Sequence, residues 1–255
     1  MPFENPRRLM ATAILAGRIL MENNAETYRV EETITHILSV GHFESVEVLA
    51  IGSGLIVTID DPSISSLTKV KRLRKLETNL SKINQVNRIS RLLAEGELTV
   101  NEAYLKLLQT DMKSLSDRVK DFGLLAMIGG FAMFFSGQIN EALVAVPSGL
   151  WLLLVNRISR RLHINEFISN VLAVTLMSTS IILLRYFLPF QFDEGLAIVG
   201  IIMPLVPGTA ITNAIRDTLR QDYLSGSTRM AGAFVTALSV AIGVALAFFL
   251  TKGVV

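Results

Sequence analysis

The sequence predicts a membrane protein in two parts: a cytoplasmic α+β domain over residues 1–120 and an α-helical transmembrane bundle of about five helices over residues 121–255. Three observations predict it. Mean hydropathy is +0.48 and 51% of the residues are hydrophobic, which is too apolar for an ordinary soluble domain of 255 residues. Charge is divided unevenly, with 31 charged side chains before residue 121 and 15 after it. Apolar residues recur at helix or strand period in the first part and as continuous runs in the second. The net charge of +2 comes equally from the two parts, so no broad cationic face exists for nucleic acid. The chain has no cysteine, which excludes disulfides, thiolate metal sites and cysteine nucleophiles. His36, His42 and His163 have no metal-ligand spacing, and neither a metal nor a cofactor is implied.

The first part opens with Arg7-Arg8 and an apolar run, Leu9–Gly17, that superficially resembles a signal peptide. Arg18 interrupts the run and the helical pattern continues to Glu22, so an amphipathic helix over 7–22 is predicted. A second helix is predicted over 27–40, with Val30, Ile34, Ile37 and Leu38 as its apolar stripe and Gly41 at its end. The period then changes to two. Residues 45–50 and 55–59 flank Gly52-Ser53-Gly54 and read as a hairpin. The Gly-x-Gly lacks the following helix and lysine of a phosphate loop, so a turn is the reading. Thr68–Leu76 alternates and is basic, as an edge strand would be; its five basic residues from Lys69 to Lys75 also suit anionic headgroups or an acidic substrate. Helices over 79–95 and 100–112 follow, the second with Thr99 and Glu102 at capping-box spacing.

In the second part the apolar runs predict spans at 122–137, 142–156, 167–188, 195–219 and 230–250. The first two are short against the roughly 20 residues that cross hydrocarbon. With residue 120 inside, Arg118, Lys120, Arg157, Arg160, Arg161, Arg220 and Arg229 fall on inside connections, and Glu141, Asp193 and Glu194 on outside ones. An odd number of spans suits one half of an inverted-repeat assembly. The hexapeptide Val-Asn-Arg-Ile-Ser-Arg occurs at 86–91 and 155–160 without matching flanks and reads as two basic helical segments, not a structural repeat.

The segment richest in chemistry is 203–219. Pro204 and Pro207 remove backbone donors, and Pro207-Gly208 should break the fourth span. The helix that restarts there has free N–H groups and a positive dipole end, suited to a carboxylate. Thr209, Thr212, Asn213, Arg216 and Asp217 share one stripe of it, opposite Ala210, Ile211, Ala214, Ile215 and Leu219. Charges in a membrane segment normally face a bundle interior or a water-filled path; the bland alternative puts Arg216 and Asp217 at the interface as anchors. Near the N-terminus, Glu26, Arg29, Glu31 and Glu32 form a charged cluster in which Arg29 and Glu32 have the spacing of a helix-face pair. Ser178, Thr179 and Ser180 line a path or bond helix carbonyls, and Ala231-Gly232-Ala233 and Gly243 permit close helix contact.

Residues 24–33, Asn-Ala-Glu-Thr-Tyr-Arg-Val-Glu-Glu-Thr, resemble the "GA-x-x-x-R-V-E" signature of the threonine/serine exporter family, with Asn24 where Gly is common. Residues 207–217, with Asp222 to Gly226 after them, resemble that family's second signature. The resemblance covers nearly the whole chain. It implies an exporter of small hydrophilic metabolites in a bacterial cell membrane, and not an enzyme. Long members carry ten helices; short ones of this length are similar to the larger component of two-part systems, in which a small multi-span membrane protein supplies the missing helices. Such pairs are associated with dicarboxylates such as succinate, and long members with threonine and serine. The family's N-terminal domain has been likened to a hydrolase, but no nucleophile–base pair stands at a telling spacing here. The other function class is a membrane-anchored enzyme or regulator whose active part is residues 1–120; an anchor would not need the broken, polar fourth span.

Overall fold

The computed structural model describes residues 5–62, 64–73, 77–112 and 115–252. They pack as two units. One joins the N-terminal residues up to 114 with Thr209–Met230; the other contains Leu115–Gly208 and Ala231–Val255. Packing therefore divides the chain differently from the step in composition near residue 120: a stretch of the polar fourth segment clusters with the N-terminal elements.

In the first unit, α1 (Pro6–Glu22) starts with Asn5 capping Arg8 N–H and Pro6 at a position where its missing donor costs nothing. It packs on α2 (Thr27–Leu38), α3 (Leu80–Ala94) and α4 (Val100–Met112). Asn79 caps α3, and Thr99 with Glu102 forms the capping box at the start of α4. The sheet runs in order β1-β2-β3, all antiparallel: β1 (Ser45–Ile51), β2 (Gly54–Asp60) and β3 (Leu67–Arg72). Ile51 pairs with Gly54, so Gly52-Ser53 is a two-residue hairpin turn. A Cβ on Gly52 would stand 2.7 Å from the Thr228 hydroxyl, which is why the turn lacks a side chain there. β3 is the basic edge strand, exposed along most of its length; Arg74, Lys75 and Leu76 of the predicted run lie outside the described residues. α2 ends through a 3-10 turn, Ser39–Gly41, and the left-handed residue that stops it is His42 (φ 51°), not Gly41 as predicted. The core is aliphatic, with Leu9, Ile19, Leu20, Ile34, Leu55 and Leu107 fully buried.

The second unit contains α5 (Asp117–Ser136), α6 (Ile139–Ser148), α7 (Leu150–Leu162), α8 (Glu166–Phe187), α9 (Glu194–Ile202) and the greater part of α11 (Tyr223–Thr251). The chain passes from α9 through a 3-10 turn, Met203–Leu205, into α10 (Gly208–Leu219), so the helix is broken there. By length and composition four helices can cross a membrane, counting Ile139–Leu162 as one, and the bent pair makes up to five. The first two spans are not short: Asp117–Asp121 extend the first to 20 residues, and α6 with α7 reaches 24. The last span starts seven residues before the predicted Met230, because Tyr223–Arg229 continue it as helix. Close approaches hold the bundle: a Cβ on Gly200 would come within 2.5 Å of Ala132, and one on Gly243 within 2.7 Å of Val174. Thr175 donates to Gly243 O at 3.1 Å across the same contact, and Ser180 returns its hydroxyl to Met177 O.

Candidate functional site

The site is built where α10 and the start of α11 meet the loop before α2, within the first unit. α2 begins after Glu26, whose extended backbone suits an N-cap but whose side chain makes no capping bond. The helix start thus presents unsatisfied N–H groups. Asp217 of α10 meets the first of them, at Thr27. Its Oδ2 accepts the Thr27 hydroxyl at 3.2 Å, and the Thr27 backbone N–H points at the same carboxylate. A negative charge at a helix start is favourable.

Asp217 is 1% exposed, so its charge requires a partner. Arg229 of α11 supplies it, with Nε 3.1 Å from Oδ2 and a side chain only 8% exposed. That contact is an ion pair without the alignment of a hydrogen bond. The directed bonds of the guanidinium go elsewhere: Nη1 to Asn24 Oδ1 at 2.7 Å and Nη2 to Ala25 O at 2.8 Å. Asn24 lies at φ 65°, the left-handed region that Gly and Asn tolerate. Its carbonyl accepts from Asn213 Nδ2 at 3.0 Å. Asn at position 24 therefore tolerates the left-handed backbone, as Gly would, and adds an acceptor for Arg229.

Around this centre, Glu26 bridges two arginines. One oxygen pairs with Arg216 and the other accepts from Arg29 Nε at 2.8 Å. Arg29 thus pairs with Glu26 and not, as its spacing suggested, with Glu32. The Arg220 guanidinium lies 3.5 Å from the centre of the Tyr28 ring, and the Tyr28 hydroxyl accepts from Arg29. Glu31 accepts the Ala50 N–H of edge strand β1 at 2.9 Å. Burial pushes the Glu31 carboxyl up from the ordinary glutamate range; the Ala50 N–H opposes this, and the charges of Asp222 and Asp217 add to the rise.

The structure brings Asn213, Arg216, Asp217, Glu26 and Arg29 of the predicted residues together, with Thr209 at the edge, 3.5 Å from Asn24 Nδ2. Glu31 contributes through its charge. Glu32 faces away, into a groove of about 340 Å³ beside Tyr28, Arg29, His36 and Arg91. Pro207 and Gly208 stand at the bend, and Gly208 and Thr212 are exposed. Of the stripe on α10, Thr209, Asn213, Arg216 and Asp217 meet the N-terminal elements. The sequence reading missed Arg229, Thr27 and the direct part of Asn24. Arg229 was legible only as an interfacial basic residue, because it stands one position before the predicted start of an apolar span. No cluster of three or more metal-ligating side chains occurs among the described residues.

The model of a family described as "Putative threonine/serine exporter" matches residues 11–251. No curated protein and no solved structure gives a match.

Proposed function

Because this chain belongs to the threonine/serine exporter family and is a multi-pass membrane protein, we propose that it is a subunit of a secondary exporter that moves small carboxylate metabolites out of the cell. The substrates are threonine and serine or succinate-like dicarboxylates. Residues 1–120 face the cytoplasm of a bacterial cell, and a small multi-span membrane protein supplies complementary helices. Apolar faces support the need for such cover: only 11% of the most apolar window of α5 is buried, and Phe122 and Phe134 are 75% and 78% exposed. Lipid covers part of such a surface and partner helices the rest.

The observation that carries the reading is the meeting of the two signature segments in one buried, charged site. Asp217 occupies the start of α2 and the guanidinium of Arg229, two groups that suit any carboxylate. A substrate carboxylate arriving at the restarted helix beyond Pro207-Gly208 competes with Asp217 for them. When it succeeds, α10 is released from α2 and the broken span changes shape. Binding of substrate is thereby tied to movement of the segment that carries the break. The exposed Thr209 and Gly208 mark the entry to that contest.

The test is efflux of labelled threonine, serine and succinate from cells expressing the chain with and without its small membrane partner. Efflux of at least one substrate is expected, and Asp217→Asn should remove most of it while the protein still reaches the membrane. Unchanged efflux in every arrangement refutes the exporter reading.

A further inference from the structure

Strand β3 takes no part in the site around Asp217, yet it is basic and exposed. On one face of the sheet, Lys69 and Lys71 stand opposite Val57 and Leu55 of β2. Those two apolar residues are fully buried, whereas both lysines are exposed. On the other face, Leu49, Ile56 and Val70 pair across all three strands and form one row. Leu49 is 52% and Val70 71% exposed. Arg72 follows Val70 on that face, opposite Gly54. Lys69, Lys71 and Arg72 have no ion-pair partner among the described residues. Lysines protect an edge strand from pairing with another chain. That role does not account for the open apolar row beside them.

The sheet is held at a defined depth. The Gly52 backbone lies against Thr228 of α11, which belongs to the same unit as the sheet. The Leu73 N–H donates to Ser53 O at 2.9 Å, which fastens the end of β3 to the same hairpin turn. From Thr228, α11 runs on as one helix, and after Arg229 it carries no charged side chain until Lys252. Charges are costly in hydrocarbon, so the apolar part of the bilayer begins where they stop. The hairpin turn therefore lies within about one helical turn of the point where α11 enters the bilayer, at the level of phospholipid headgroups. Lys71 and Arg72 are at this end of the sheet, opposite Leu55 and Gly54. The acidic side chains of the outer face, Glu47 and Asp60, lie farther from the turn.

We propose that the β3 edge and the apolar row beside it bind the anionic phospholipid headgroups of the bilayer that α11 crosses. Lys69, Lys71 and Arg72 meet the phosphates along the edge. Val70, with Ile56 and Leu49, takes the apolar boundary next to them, as the two sides of an interfacial helix do. Each basic side chain near an anionic surface favours the bound state about fivefold, so three together give on the order of 100-fold. The inference rests on α11 crossing the membrane and not on what the protein carries.

The chain has no cysteine, so Val70→Cys accepts a single fluorescent label on the full-length protein. In nanodiscs of phosphatidylcholine with phosphatidylglycerol, lipid carrying a nitroxide at its headgroup should quench this label. In phosphatidylcholine alone the quenching should be weaker by at least about twofold. Substituting Lys69→Gln, Lys71→Gln and Arg72→Gln together should lower the quenching in anionic nanodiscs to the neutral level. Salt at about 0.5 M, added to the protein with its basic residues intact, should do the same. The three side chains are exposed, so this triple variant should melt with the wild type. Equal quenching in the two lipids, or none in either, overturns the proposal, as does quenching that neither salt nor the triple variant reduces. A label that lipid leaves untouched, but that the partner membrane protein shields from aqueous acrylamide, marks a protein interface and overturns it too.

Discussion

Removing the charge of Arg229 by substitution with Met should destabilise the protein more than any surface change. The side chain is 8% exposed and serves three oxygens, Asp217 Oδ2, Asn24 Oδ1 and Ala25 O. Methionine fills a similar volume but leaves Asp217, at 1% exposure, with only Thr27 to meet its charge. Stranding one member of a buried pair costs about 3–5 kcal/mol. For a chain of this size that lowers the melting temperature by roughly 6–20 °C. Asp217→Asn should fall at or below the lower end, because the amide oxygen still accepts from Thr27 and Arg229 keeps two acceptors. The double variant has no stranded charge, so its loss should be smaller than the sum of the singles by about 0.5–3 kcal/mol. Thermal unfolding of the purified protein in detergent, followed by circular dichroism for all four forms, measures this. Singles that melt with the wild type, or a double variant whose loss equals the sum, would refute the reasoning.

Asn24→Gly keeps the left-handed backbone and loses one acceptor for Arg229, whereas Asn24→Ala also adds roughly 1–2 kcal/mol of backbone strain; the Ala variant should melt lower than the Gly variant. The raised Glu31 carboxyl means that the folded protein holds this proton more tightly than the unfolded chain does. Its contribution to stability therefore falls as pH rises from about 4.3, the ordinary glutamate value, through the raised one. Melting curves across that window should show a shallower pH slope for Glu31→Gln; an unchanged slope would remove Glu31 as the cause. Gly200→Val places side-chain atoms where the Ala132 backbone already stands, within 2.6 Å of a Cβ, and must part α5 from α9. Overpacking of this kind costs about 1–3 kcal/mol, so the variant should lose melting temperature while Gly123→Ala, in open space, does not.

Much of this architecture was legible because local chemistry fixes it. The alternation at residues 45–59 with Gly52-Ser53 between, the Thr99–Glu102 box and the Pro207-Gly208 break each act within a few residues, and each appears where the pattern put it. Helix ends were harder. Tyr223–Arg229 is polar enough to read as a connection, yet it is helical, and the charge of Arg229 is met by Asp217 from the preceding helix. The site itself was half legible. Asn213 and Asp217 stood out as costly residues in an apolar setting, but their partners lie about 190 positions away at Asn24 and Thr27. One sequence carries no signal for such pairing. The polarity of the stripe was legible and its partners were not, because amphipathicity reveals that a face is polar and not which polar groups meet it.

The start of α2 borrows its cap from residue 217. The N-terminal fold is consequently not a transferable cassette: a fragment cut at residue 114 or 120 would leave Thr27 uncapped and the acceptors at Asn24 and Ala25 without their donor. A chimera that exchanges the N-terminal part between two exporters should inherit a mismatch unless residues 209–230 travel with it. For the same reason, changes at position 24 or 27 and changes at 217 or 229 should be tolerated together more readily than apart.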